Sequence, residues 1–169
     1  MAEDLTVQLD SKNGAVVTYG PVVYVVWRNF DDVKVVEAAD EVVKNLSRRF
    51  GDGRKLFYCH RTPQRTTMGR QNPEVRDAVL KHFERTENLI VGAAVAIEAT
   101  GFPGSIIRSA TAAVLLVRNP SMATKTFADA RDGVRWLGNL SRASNPFDFD
   151  GMVRALERSG LSLGNARSA

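Results

Sequence analysis

The sequence has few of the side chains that most often carry catalysis or bind metals. It contains one cysteine, Cys59, and two histidines, His60 and His82, in 169 residues. A single cysteine excludes an internal disulfide, and a reducing cytoplasm is the simplest compartment for such a chain. Because the sequence has neither a paired cysteine motif nor a suitably spaced pair of histidines, it predicts no metal site and no cofactor.

Long apolar stretches are missing too. No window approaches the ~18 consecutive apolar residues of a membrane-spanning helix, and the acidic residues 1–4 lack the apolar core of a secretory signal. With 44% apolar and 25% charged residues, the composition is that of a globular protein. We therefore expect a cytoplasmic protein without a membrane span. Residues 1–140 would form one domain, and residues 141–169 an extension with a short helix and a polar tail.

The positive charge is concentrated in one part of the chain. Residues 53–85 contain eight basic and three acidic residues, a surplus of +5 against +4 for the whole chain. Such a region can attract nucleic acid, phosphate groups or an acidic protein surface. The region offers few aromatic side chains for base stacking, and its arginines do not share one helical face. The sequence therefore disfavours nucleic acid as a partner, and an ordinary solvated surface explains the arginines equally well.

What the sequence does contain is a regular succession of strand and helix patterns. Three β patterns at residues 5–9, 15–19 and 22–27 predict an N-terminal meander, with a turn at Asn13 and Gly14, residues that tolerate positive φ. Asp31 and Asp32 suit the start of a helix, and Gly51 its end. A strand at 55–60 and a helix starting at residues 72–74 follow.

The second half of the chain continues as β-α repeats. The unbroken apolar run at residues 89–99 is typical of a strand covered on both faces. We expect a helix at 105–117, a strand at 124–127, a helix at 130–140 and a last short helix from Met152 to Leu156, before a frayed tail from Ser159. The fold class predicted is α/β, with a mixed sheet in which an N-terminal β-meander precedes β-α repeats and helices pack on the sheet.

Each candidate for chemistry has a more ordinary structural explanation. Cys59 and His60 are neighbours on a strand, so they point to opposite faces and do not form a nucleophile–base pair. His82 fits a core position beside Phe83, and Glu98 a satisfied charge at the end of a strand. Residues 101–105 are glycine-containing and precede a helix, but match neither phosphate-binding motif. We therefore predict no catalytic residue.

The loop at residues 60–72 is the best functional candidate. It connects the carboxyl end of a strand to the start of a helix, where α/β proteins often keep their sites. It holds three threonines and three arginines, and a phosphoryl group on Thr66 or Thr67 would gain hydrogen bonds from those arginines. The helix at 105–117 is apolar on nearly all sides, which indicates deep burial or contact with another molecule. The predicted interaction surface comprises Arg61, Arg65, Met68, Arg70, Ile107 and Leu115.

A family resemblance rests on the order of elements and on the segment FADARDGVRWL at residues 127–137. Over residues 5–140 the chain resembles the STAS superfamily, specifically the divergent bacterial group similar to sporulation anti-anti-sigma factors. The resemblance implies a small signalling domain that docks onto proteins, often switched by phosphorylation at the position that residues 62–72 occupy here. The family's acid-serine-serine/threonine-glycine signature is absent, and residues 66–69 echo it only in part.

Two functions from different classes remain open. The first is a non-enzymatic regulatory module that binds another protein or a second copy of itself, with Thr66 and Thr67 as candidate phosphoacceptors. The second is a carrier of, or an enzyme acting on, a small anionic ligand. Its site would lie at the carboxyl edge of the sheet, near Arg61 and residues 101–105.

Overall fold

The computed structural model describes residues 4–51, 53, 55–63, 72–101, 108, 122–161 and 163. Strands and helices alternate after an initial run of three strands. In chain order the elements are β1 (Leu5–Asp10), β2 (Gly14–Tyr19), β3 (Val22–Trp27), α1 (Lys34–Phe50), β4 (Leu56–Thr62), α2 (Pro73–Thr86), β5 (Ile90–Ile97), β6 (Ala123–Phe127), α3 (Ala130–Ser141) and α4 (Phe149–Arg158).

The strands form one six-stranded mixed sheet in the order β1-β2-β3-β4-β5-β6. β1, β2 and β3 pair antiparallel, and β3 to β6 pair parallel. β1, β2 and β3 are antiparallel because short turns connect them, whereas parallel neighbours need a longer crossover connection. The predicted α/β class, with a mixed sheet and helices packed on it, is confirmed.

The two faces of the sheet are covered by different helices. Alternate residues of β3 show this: Val23 and Val25 pack with the apolar stripes of α1 and α2, while Val22 and Val26 pack with α3 and α4. We call these the α1–α2 face and the α3–α4 face. β5 is covered on both, since Ala93 belongs to the first and Ala94 to the second. The prediction drawn from its unbroken apolar run is therefore confirmed.

α3 lies close to β5 because glycines remove side chains from the contact. A Cβ on Gly92 would collide with Leu140, and a Cβ on Gly133 would lie 3.2 Å from that of Ala94. No described helix combines the length and the hydrophobicity needed to cross a membrane.

The turn between β1 and β2 differs from the prediction. Neither Asn13 nor Gly14 has a positive φ; the turn is closed by paired backbone hydrogen bonds between Ser11 and Gly14. Gly14 is needed for space instead. A Cβ there would lie 2.5 Å from the Val26 carbonyl oxygen.

The start of α1 also differs. The helix begins at Lys34, after the predicted Asp31 and Asp32. Asp32 is held outside it, because Oδ1 accepts from the Lys34 N–H at 2.9 Å and Oδ2 accepts from Asn13 Nδ2 at 2.9 Å. The predicted end is confirmed: Gly51 has a φ of 80° and its N–H donates to the Ser47 carbonyl oxygen.

The C-terminal part is more ordered than the sequence predicts. α4 begins at Phe149, earlier than the expected Met152, because the Asp148 carboxylate accepts from the Gly151 N–H at 2.9 Å and caps the helix. The expected frayed tail is wrong for Leu161 and Leu163, both of which are buried in the same core as α3 and α4. The two leucines supply the apolar surface that the surrounding small residues lack.

Candidate functional site

An ion pair occupies the carboxyl edge of the central parallel strands. Arg61 lies near the end of β4, and Glu98 follows β5, with the Glu98 N–H donating to the Thr62 carbonyl oxygen. Arg61 Nε and Nη2 donate to Glu98 Oε1 and Oε2, both at 3.0 Å. The side chains are only 13% and 14% exposed. This bidentate geometry is the strongest form of a guanidinium–carboxylate pair.

Two further polar side chains lie beneath this pair on the α3–α4 face. Tyr24 on β3 is paired in register with Cys59 on β4, and both are fully buried. Burial raises the pKa of Tyr24 far above its usual value, although the nearby Arg61 works to lower it. Among the described residues the Tyr24 hydroxyl makes no hydrogen bond of standard geometry, although it interacts with the Arg61 guanidinium. Burial also raises the pKa of the Cys59 thiol to about 12, so Cys59 carries no thiolate near neutral pH.

His60 follows Cys59 on β4 and lies on the α1–α2 face of the sheet. Its Nδ1 accepts a hydrogen bond from Trp27 Nε1 at 2.9 Å, and its ring stacks on Tyr58 with centroids 4.5 Å apart. Burial and, to a smaller extent, the nearby His82 lower the pKa of His60 to about 3. The imidazole is therefore neutral at physiological pH. The prediction that Cys59 and His60 point to opposite faces is confirmed.

A second polar group joins α1 and α2. His82 is buried, as its predicted core position requires. Its Nδ1 lies 2.6 Å from Asp40 Oδ1, and the second Asp40 oxygen binds Arg85. Burial works to raise the pKa of Asp40, but hydrogen bonds from His82 and Arg85 outweigh it and hold that pKa below its usual range. The Asp40 carboxylate thus binds both the buried His82 and the exposed Arg85.

The structure describes only part of the predicted interaction surface. Arg61 is described, and its guanidinium is bound to Glu98, which confirms that Glu98 is a satisfied charge at the end of a strand. The rest of that surface and both candidate phosphoacceptors lie outside the described residues: Arg65, Met68, Arg70, Ile107, Leu115, Thr66 and Thr67. Residues 102–105 of the predicted glycine-containing corner also lie outside them.

Sequence analysis missed Tyr24 and Asp40. Asp40 directly follows Ala39 in the apolar stripe of α1, but charged residues border the stripe of any amphipathic helix, so its position gave no specific signal. Tyr24 gave no signal, because an aromatic residue in an apolar strand is ordinary core.

Within the described residues, no group of three or more histidine, cysteine, aspartate or glutamate side chains could hold a metal ion. Comparison with models of known families, with curated proteins and with solved structures finds no match. The resemblance to the STAS superfamily therefore stays a prediction, and function has to be inferred from the geometry of the site.

Proposed function

We propose that this protein is a non-enzymatic, STAS-like interaction module that binds another protein or a second copy of itself. The observation that supports this most directly is the closed ion pair at the carboxyl edge of the sheet. α/β proteins commonly place their reactive groups at this edge. Here Arg61 and Glu98 bind each other through two hydrogen bonds, so these charges serve to join the ends of β4 and β5.

The other reactive groups of β4 also favour a structural role. A nucleophilic cysteine needs a low thiol pKa, and a general base needs a pKa near the working pH. Burial moves both pKa values away from these ranges. It raises the pKa of Cys59 to about 12 and lowers that of His60 to about 3. The two side chains also lie on opposite faces. Their arrangement suits packing better than turnover.

The proposed docking surface begins at the same edge. The loop that contains Arg65, Met68 and Arg70 leaves β4 after the buried Thr62 and returns at Asn72. There Asn72 Oδ1 caps α2 by accepting from the Glu74 N–H at 3.0 Å. The described residues that flank this segment, Thr62 and Asn72, are therefore held in place by the fold. A phosphoryl group on Thr66 or Thr67 would change the charge of this surface and so its affinity for a partner.

The test is association of the purified protein and of a variant with both Arg65→Glu and Leu115→Asp. Sedimentation velocity at micromolar concentration detects a second copy, and a pull-down from native lysate detects a stoichiometric partner. We expect the native chain to associate in one of these assays and the double variant to lose that association. Arg76→Glu is the matched control, because Arg76 is an exposed arginine on α2 that pairs with its neighbour Asp77.

Two results would count against the proposal. One is a strictly monomeric native protein that retains no stoichiometric partner. The other is equal loss of association in the double variant and in Arg76→Glu, since the effect would then reflect net charge and not the proposed surface.

The Tyr24 hydroxyl, which makes no standard hydrogen bond among the described residues, favours one alternative, a small anionic ligand bound at the carboxyl edge. Tyr24 and Arg61 interact, and together they offer a hydroxyl and a guanidinium. An anion would however compete with Glu98 for that guanidinium. A thermal-shift screen with nucleotides and phosphates separates the two functions, because a ligand at 100 times its Kd adds about 2.7 kcal/mol of stability. Our proposal predicts no such stabilisation.

A further inference from the structure

Three buried polar atoms on the α1–α2 face have no hydrogen-bond partner among the described residues. They are Tyr58 Oη, His60 Nε2 and His82 Nε2. The three residues are 0%, 6% and 1% exposed, so bulk water does not reach them. Because buried polar groups are nearly always paired, three unpaired atoms in one place need an explanation.

The three side chains belong to one cluster. The Tyr58 ring contacts both imidazoles, with centroids 4.5 Å from His60 and 5.3 Å from His82. The Phe83 ring contacts all three, at 5.2 Å from His60, 5.6 Å from His82 and 5.9 Å from Tyr58. Tyr58 and Phe83 therefore hold the two imidazoles against a common apolar surface.

The partners of the two histidines fix where their protons lie. The indole N–H of Trp27 can only donate, so His60 Nδ1 is the acceptor and the proton of the neutral ring is on Nε2. The ionised Asp40 carboxylate can only accept, so His82 carries a proton on Nδ1. In neutral His82, Nε2 is then an acceptor. The cluster thus offers one donor, one acceptor and one hydroxyl that can act as either.

We propose that Tyr58 Oη, His60 Nε2 and His82 Nε2 bind one internal water molecule. The water accepts from His60 Nε2–H, donates to His82 Nε2 and makes its third hydrogen bond with Tyr58 Oη. Buried waters in proteins make about three hydrogen bonds to otherwise unsatisfied groups, so the three atoms match a water in number and in donor and acceptor character.

The bound water completes a hydrogen-bond chain that goes beyond the proposed docking function. It runs from Trp27 through His60, the water and His82 to Asp40 and Arg85, at the surface between α1 and α2. The groups that face His82 are Asp40 and, through it, Arg85, together with Tyr58 and His60 from β4.

The first test is nuclear magnetic resonance of the native protein labelled with ¹⁵N. We expect His60 with its proton on Nε2, His82 with its proton on Nδ1, and a nuclear Overhauser effect from water to the His60 Nε2 proton. A proton on His60 Nδ1, or no effect from water at Nε2, would overturn the proposal. This measurement does not depend on the folding of any variant.

The second test compares Tyr58→Phe with Tyr24→Phe. Both tyrosines are fully buried, and neither hydroxyl makes a standard hydrogen bond to a described residue, but Tyr24 lies on the opposite face, away from the histidines. If Tyr58 binds the water, its loss should raise the equilibrium constant for unfolding about tenfold and shift the His60 and His82 resonances. Tyr24→Phe should leave those resonances unchanged. If the Tyr58 hydroxyl has no partner, Tyr58→Phe would be as stable as the native protein or more stable, which would contradict the proposal.

Discussion

Replacing Glu98 with glutamine tests whether the Arg61–Glu98 pair holds the carboxyl edge of the sheet together. Glutamine keeps the size of the side chain, but removes the charge and turns one acceptor oxygen into an amide donor. That donor would face one of the two guanidinium nitrogens that now donate at 3.0 Å. Because the Arg61 side chain is only 13% exposed, water can replace little of the lost interaction.

The expected loss follows from this burial. Removing one partner of a buried ion pair costs about 3–5 kcal/mol, whereas an exposed pair is worth about 1 kcal/mol or less. Both side chains keep some contact with solvent, so we take the lower end, about 3 kcal/mol. For a chain of this length, that loss lowers the Tm by roughly 6–12 °C.

Urea unfolding followed by circular dichroism measures the loss. Asp132→Asn is the matched control, because it breaks the Arg135–Asp132 pair, which also has an N–O distance of 3.0 Å but is more than half exposed. We expect this control to change the free energy of unfolding by about 0.5 kcal/mol or less. Arg61→Met with Glu98→Leu should lie closer to the native protein than Glu98→Gln does, since no charge is left unpaired. A loss of less than about 1 kcal/mol for Glu98→Gln would refute the reasoning.

Two further predictions concern acid stability and glycine packing. His60 binds a proton near pH 3 in the folded state and near pH 6.5 in the unfolded state. The unfolded chain therefore binds more protons between these values, and stability should fall as the pH drops from 6.5 to 3. In His60→Gln, the slope of the free energy of unfolding against pH should fall by an amount that corresponds to up to one proton. Urea titrations at several pH values measure this slope, and an unchanged slope would contradict the prediction. Gly14→Ala should cost about 1–3 kcal/mol because its Cβ would lie 2.5 Å from the Val26 carbonyl oxygen, a backbone atom of β3. Gly138 lies within α3, and the atom nearest to a new Cβ there is Phe149 Cβ on α4, at 3.6 Å, so Gly138→Ala should stabilise the protein by up to about 1 kcal/mol. Thermal unfolding of the two glycine variants would refute this if both shifts had the same sign.

Local patterns were enough to predict most strands and helices. The run of apolar residues in β3 and the Asn72-Pro73 start of α2 place these elements at Val22–Trp27 and Pro73–Thr86. One error, at the start of α1, occurs where two side chains compete to cap a helix. Asp31 and Asp32 both suit the start of α1, and only the bond from Asn13, on a distant turn, shows which oxygens are already used. A contact of that kind is not contained in a local pattern.

The polar pairs were less predictable, because their partners are far apart in sequence. Arg61 and Glu98 are separated by 37 residues, Trp27 and His60 by 33, and Asp40 and His82 by 42. The sequence shows that Glu98 ends a strand and that His82 lies beside a core residue. Which side chain meets each of them depends on the register of parallel strands and on the packing of α1 against α2, and neither follows from the pattern of a single element.

The buried polar pairs distinguish one register of the central strands from another, which their apolar residues do not. Residues 56–60 of β4 are buried on both faces, so a shift of one residue would still bury apolar surface. The same shift would carry Arg61 to the α1–α2 face and His60 to the α3–α4 face, away from their partners. We infer that these pairs specify the register of β4. In the Arg61→Met and Glu98→Leu double variant, hydrogen exchange of the β4 amides should therefore be faster even at equal global stability. Unchanged exchange would show that packing alone sets the register.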